Sequence, residues 1–129
     1  MTAAVWWVAA LAALVVLVRW VWGLAGRARD GLARRRQAEL RAEALLLSWL
    51  SPFQRAQYLE RGWFEVNTAT GRRYRISRGP VVRLEPPGSA YCIEATSPVP
   101  VADELLANKL LLETDERRFL VTAHRFRHR

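Results

Sequence analysis

The chain opens with an apolar run that has the length of a membrane span. Residues 3–18 carry no charged or strongly polar side chain, and the apolar character resumes after Arg19 and continues through Trp22. As a helix, residues 3–22 would measure about 30 Å, which matches the hydrocarbon core of a bilayer. Arg19 lies near one end, so its guanidinium can reach the headgroups. The pattern predicts a transmembrane anchor within residues 1–26.

Tryptophan placement agrees with this interpretation. Four of the six tryptophans bracket the run, Trp6 and Trp7 at one end and Trp20 and Trp22 at the other. Indole rings favour the membrane–water interface, so we predict that these four side chains and Arg19 lie there. The alternatives are a cleaved signal peptide and a buried helix of a soluble domain. A signal peptide has its positive charge before the apolar run, whereas this chain has it afterwards.

Charge predicts the orientation of the anchor. The chain has 20 basic and 12 acidic side chains, a net charge of +8, and every basic residue except Lys109 is arginine. Five arginines follow the anchor and are the predicted lipid-headgroup contacts: Arg27, Arg29, Arg34, Arg35 and Arg36. The positive-inside rule predicts a single-pass protein of the inner (cytoplasmic) membrane with its amino terminus outside. These arginines could equally be a topology signal on a solvated helix face. The single cysteine, Cys92, excludes an internal disulfide and is compatible with the cytosol.

Residues 27–50 are predicted to form a helical neck, basic at first and apolar from Ala44 onward. Gly31 is the expected weak point of this helix. The apolar part is too short to span a membrane, so it must pack on the head or on another chain. We predict Leu46, Trp49 and Leu50 as partner contacts.

Residues 51–129 are predicted to form a small α+β cytoplasmic head. Ser51 and Gln54 have the spacing of a capping box, and Gly62 ends the helix that they begin. Short alternating segments at 63–67, 72–77, 81–84 and 91–93 predict an antiparallel sheet of three to four strands, with Tyr74 in the core. Helices are expected after Pro100 and from the cap Thr114, the last with Phe119 and Phe126 on its apolar stripe.

The head resembles a small module that recurs in uncharacterised bacterial and bacteriophage proteins. The resemblance covers about residues 45–123 and is carried by the strings LSPFQRAQY, GWFEV, TGRRYRI, YCI and PVADELLANKLLLETDERRFL. It implies a bacterial or phage setting and transfers no catalytic residue, cofactor or activity.

The sequence carries no pattern that predicts a catalytic or metal-binding site. There is no phosphate-binding glycine loop and no nucleophile elbow. Acid pairs at 103–104 and 115–116 are explained by helix starts. His124 and His128 with Cys92 could face one metal ion, but the surrounding arginines would repel a cation. We therefore expect no enzyme activity, no cofactor and no metal.

The sequence favours a non-enzymatic accessory or structural subunit whose head docks on a partner protein, an assembly or another copy of itself. Trp63 and Phe126 are further predicted contacts, because aromatic side chains dominate interface energetics. The alternative is a membrane-tethered binder of nucleic acid or anionic lipid, acting through Arg73, Arg75 and Arg78 and through the neck. These arginines could equally form a solvated sheet face that pairs with Glu65 across the hairpin.

Overall fold

The computed structural model describes residues 2–93 and 95–127 in two compact units, one ending at Gln37 and one beginning at Ala38. The elements, in chain order, are α1 (Thr2–Trp49), α2 (Pro52–Arg61), β1 (Trp63–Asn67), β2 (Arg73–Ser77), β3 (Val81–Arg83), β4 (Ser89–Cys92), α3 (Val101–Thr114), α4 (Glu116–Thr122) and β5 (His124–Arg127). The fold is α+β, as the sequence predicts, and the sheet has one strand more than expected.

The first unit is helical, and its side chains from Trp6 to Gln37 are exposed. It contributes an apolar stretch of α1 that is long enough to cross a membrane, judged by length and composition. The predicted weak point at Gly31 does not interrupt α1. One glycine costs a helix only about 1 kcal/mol, and the neighbouring arginines, alanines and leucine are good helix formers.

In the second unit, the five strands form an antiparallel meander in the order β1-β2-β3-β4-β5. Register places Phe64 opposite Ile76 and Val66 opposite Tyr74, and all four side chains are fully buried. Because successive residues of a strand point to opposite faces, these residues define one buried face of the sheet. We call it the covered face.

Helices supply the other half of this core. Ala42 and Leu46, one turn apart near the end of α1, are buried together with residues of α3. From α4, Phe119 completes an aromatic cluster with Tyr74 and Tyr91, with ring centroids 5.9–6.3 Å apart in edge-to-face geometry. Such pairs add about 0.5–1.5 kcal/mol each to the burial of their area.

The predicted capping box is confirmed. The Ser51 hydroxyl accepts from the Gln54 amide at 3.2 Å, and the Gln54 side chain accepts from the Ser51 amide at 3.1 Å. Gly62 ends α2 in the left-handed conformation, with φ 74°. The same helix also covers the outer edge of β1, because Gln54 Nε2 donates to the Glu65 carbonyl and the Gln57 side chain accepts from the Glu65 amide.

The carboxyl-terminal region differs from the sequence-based expectation. Asp115, and not Thr114, caps α4, since its carboxylate accepts from the Arg118 amide at 2.9 Å. The helix ends at Thr122, and residues 124–127 form β5 against β4, with Phe126 opposite Ala90. The assignment of Phe126 to a helix was therefore wrong. A helix of two turns has little intrinsic stability, so pairing with a sheet edge prevails over its continuation.

Candidate interaction surface

Strand alternation gives the sheet a second face, which we call the open face. It carries Trp63, Glu65, Asn67, Arg73, Arg75, Ser77, Val82, Ala90, Cys92, His124 and Phe126. Apart from Ala90, these side chains are half-buried or exposed. Four of the residues predicted as binding sites lie on this face, namely Trp63, Arg73 and Arg75 on β1 and β2, and Phe126 on the opposite outer strand β5.

Trp63 is held by two arginines at the β1 side of the open face. The guanidinium of Arg75 lies 4.1 Å from the Trp63 ring centroid, and that of Arg61 lies 5.3 Å away. Cation–π contacts of this kind contribute about 0.5–1 kcal/mol at exposed sites. Trp63 is therefore a half-buried indole flanked by two guanidinium groups.

The basic character of β2 is compensated within the head. Arg75 and Arg73 each lie 3.8 Å from a carboxylate oxygen of Glu65, and Arg73 also pairs with Glu85. The hydrogen bond to Glu85, with the charge of that carboxylate, raises the pKa of Arg73. Arg78 lies beyond β2 in an exposed bend, away from this network. Two of the three predicted nucleic-acid contacts, Arg73 and Arg75, are thus paired with neighbouring carboxylates.

At the β5 side of the open face, Phe126 is 51% exposed. It lies opposite Ala90, which in turn is paired with Val82 on β3. Four inter-strand spacings separate β1 from β5, so about 19 Å of sheet lies between the strands of Trp63 and Phe126. The open face therefore has an aromatic side chain on each outer strand, with Arg73 and Arg75 of β2 and the small or aliphatic side chains of β3 and β4 between them.

Two of the three neck residues predicted as partner contacts lie inside the head. Leu46 and Leu50 are buried in the core of the head, so neither can contact a partner, which corrects the prediction for both. They follow Ala42 at helical spacing and fill space above the covered face. Trp49 is 55% exposed and remains on the surface.

Trp49 lines a groove of about 650 Å³ in the second unit, together with Phe53, Asn67, Arg73, Lys109 and Glu113. Lys109 is buried at its base, and its ammonium donates to both carboxylate oxygens of Glu113 at 2.7 Å. The positive charge of the lysine is thereby neutralised inside the groove.

A buried carboxylate ties the first hairpin to α4. Glu116 accepts from the Tyr74 hydroxyl at 2.6 Å, from Arg72 at 3.2 Å and from the Thr70 hydroxyl. These donors lie 42 to 46 residues away in sequence, so the contact is tertiary. Glu116 was expected only as a charge favouring the helix start, and local sequence gives no sign of this network.

The pKa values of the cluster follow from these contacts. Burial alone would raise the pKa of Glu116, but hydrogen bonds from Thr70, Tyr74 and Arg72 outweigh it and hold the pKa below its ordinary value. Burial and the Glu116 hydrogen bond raise the pKa of Tyr74, and the hydrogen bond to Glu116 raises that of Arg72. Every donor favours the ionised carboxylate. Thr70, Arg72 and Glu116 also line a cavity of about 430 Å³, and their hydrogen bonds join the first hairpin to α4.

The predicted membrane residues lie in α1. Trp6, Trp7, Trp20 and Trp22 are exposed, as is Arg19 between the two pairs. The five arginines from Arg27 to Arg36 are exposed too, and none of them forms an ion pair with a described residue. The first unit is compatible with a membrane span followed by a free basic segment.

Among residues 2–93 and 95–127, no three histidine, cysteine, aspartate or glutamate side chains converge as a metal site. Cys92 and His124 are direct cross-strand neighbours, while His128 lies outside the described residues.

Comparison with known proteins found no matching family model, no matching curated protein and no matching solved structure.

Proposed function

We propose that this protein is a non-enzymatic, single-pass membrane protein whose cytoplasmic head docks on a partner protein through the open face of its sheet. The observation that carries the proposal is that Phe126 is exposed and Trp63 only half-buried on a face that the core does not use. Aromatic and arginine side chains at the surface are the groups that most often anchor protein interfaces.

The open face has the composition of a docking surface. Its charges are paired, so a partner would not have to strip water from an isolated ion there. Trp63 and Arg75 are held against each other before any partner binds, which lowers the entropy lost on binding. Its width of about 19 Å between outer strands suits a protein surface better than a small molecule.

The membrane span would favour docking by holding the head close to a membrane-bound partner. A transmembrane anchor confines the head to a plane, which raises its effective concentration near any membrane-bound target without a new contact. The apolar stretch of α1 and the exposed arginines after it support this arrangement. Under the positive-inside rule the head and the arginines lie in the cytoplasm.

Site-specific photocrosslinking tests the docking surface. A photoreactive amino acid at Phe126 in the full-length protein, in its source membranes, is expected to capture a discrete adduct that Trp63→Ala abolishes. The matched control is Val121, which is 80% exposed on α4 and away from the open face. Equal capture from Phe126 and Val121, or none from Phe126, would contradict the proposal.

Cysteine labelling tests the topology separately. Cys92 is the only cysteine, so a membrane-impermeant maleimide on intact cells should leave it unlabelled until the cells are permeabilised. In a Cys92→Ser background, Thr2→Cys should be labelled on intact cells. The reverse pattern would place the head outside.

The second candidate function is anionic lipid binding by the five arginines from Arg27 to Arg36, which is favoured by their exposure and lack of ion pairs. Each could add about 1 kcal/mol near an anionic surface. In nanodiscs, enrichment of anionic over zwitterionic lipid around the protein should fall when these arginines are changed to glutamine. The matched change of Arg73, Arg75 and Arg78 should leave it unaltered.

A further inference from the structure

The two edges of the sheet are finished differently. At β1, the side chains of Gln54 and Gln57 bind the outward carbonyl and amide of Glu65, so this edge is occupied by the head's own α2. At the other edge, β5 pairs with β4, and its remaining edge has no strand beside it among the described residues.

An edge strand presents unpaired amides and carbonyls that an extended segment can join by backbone hydrogen bonding. In an antiparallel ladder, alternate residues turn these groups outward. The four residues of β5 can therefore accept a short strand. Its side chains are exposed where they are described, so no rearrangement of the core is needed for a strand to approach.

We infer that β5 receives an extended acidic segment of the partner protein as a sixth strand of the sheet. This inference rests on the docking function proposed above and names the class of partner and the mode of contact. The charge of the edge selects the segment, because Arg125 is exposed and, within residues 2–93 and 95–127, its one side-chain partner is the Ser89 hydroxyl at 3.0 Å.

The two sides of β5 specify the pattern of the incoming strand. Arg125 is opposite Tyr91 and lies on the covered-face side, whereas Phe126 is opposite Ala90 and lies on the open face. Directly opposed side chains on neighbouring strands contact each other, and opposite charges or apolar pairs stabilise the ladder. The segment that fits alternates acidic residues, facing Arg125, with apolar residues, facing Phe126.

The same charge argues against a second copy of this chain. Antiparallel pairing of two β5 strands would bring the cationic side chains of each copy onto the other, and like charges directly opposite destabilise a ladder. The arginine thus protects the edge from self-association while leaving it complementary to carboxylates.

Peptide binding to the full-length protein in nanodiscs tests this inference. A fluorescent peptide of alternating valine and glutamate should bind, and binding should weaken as salt rises. A peptide with lysine in place of glutamate, and one with alternate backbone nitrogens methylated, should each bind at least about tenfold more weakly, because they lose charge complementarity or the backbone bonds. Equal binding of the methylated peptide would overturn strand addition.

Variants of Arg125 complete the test. Arg125→Lys should retain the acidic peptide, and Arg125→Glu should lose it and gain the lysine peptide. The control is Arg117→Glu, an exposed arginine of α4, which should change neither. Equal effects of Arg117→Glu and Arg125→Glu, or self-association that competes with the peptide, would overturn the inference. If no peptide binds while the Phe126 photoadduct persists, strand addition fails and docking through the open face stands.

Discussion

The two faces of the sheet differ in burial and in chemistry. On the covered face, Phe64, Tyr74 and Ile76 are fully buried beneath helices. On the open face, the residues between them in sequence, Glu65 and Arg75, form ion pairs and a cation–π contact at the surface. The difference teaches that core packing and surface charge are encoded by alternate residues of the same strands, so mutation can separate the stability of the head from its proposed docking.

The largest effect is expected in the core where α4 packs against the covered face. Phe119→Ala should lower the free energy of unfolding of the head by about 3–5 kcal/mol, because it empties a fully buried site within the aromatic cluster. On the open face, Phe126→Ala should cost less than about 1 kcal/mol. Denaturant titration of the full-length protein, followed by tryptophan fluorescence, measures both. Equal losses would refute the division between faces.

Glu116→Gln should cost about 1–3 kcal/mol, since it weakens several charge-assisted hydrogen bonds in a buried place. The folded-state pKa of Glu116 lies below its ordinary value of 4.5. Its stabilisation is therefore present above that value and is lost as the pH falls through the lower folded-state pKa. Between neutral and acid pH, the free energy of unfolding should fall less in the variant than in the parent chain. An identical decline would exclude this carboxylate as the source.

Gln57→Ala should cost about 1 kcal/mol by removing the acceptor for the Glu65 amide. The substitution also leaves the Glu65 amide free at the outer edge of β1. The variant should therefore self-associate more at high concentration than the parent chain. Glu60→Ala, on the exposed side of the same helix, is the control for both measurements. Unchanged stability and association would show that α2 does not protect this edge.

The smallest effect concerns the cation–π pair on the open face. A double-mutant cycle of Arg75→Ala and Trp63→Leu should give a coupling energy of about 0.5–1 kcal/mol in unfolding. Each single variant should lower the yield of the Phe126 photoadduct severalfold, although the head remains folded. If the coupling is zero, Trp63 is not held in place by Arg75.

Local signals made much of the fold predictable. The capping box of Ser51 and Gln54, the left-handed Gly62 and the inward Tyr74 all follow from a few adjacent residues. The spacing of Phe119, Ala123 and Phe126 resembled a helix, but the alternation of residues 124–127 was the better guide. Competition between a short helix and a free sheet edge depends on β4, which lies more than 30 residues earlier.

The candidate surface was only partly predictable. Trp63, Arg73 and Arg75 were identified as residue types, and strand register then placed them together with Phe126. Leu46 and Leu50 were misassigned because an apolar helix end looks the same whether its own domain or another chain covers it. The Glu116 network was missed because its donors are distant in sequence and close only after folding.

The fate of the single lysine has a practical consequence for studies of assembly. Lys109 is buried, and its ammonium forms hydrogen bonds with both carboxylate oxygens of Glu113. Reagents that acylate side-chain amines therefore find no accessible target in the folded head. Amine-to-amine crosslinkers would therefore give no adduct through a lysine of the folded head, even where the head contacts a neighbour. Carboxylate-directed or light-activated chemistry, aimed at the many exposed acids or at introduced groups, is the suitable route to its complexes.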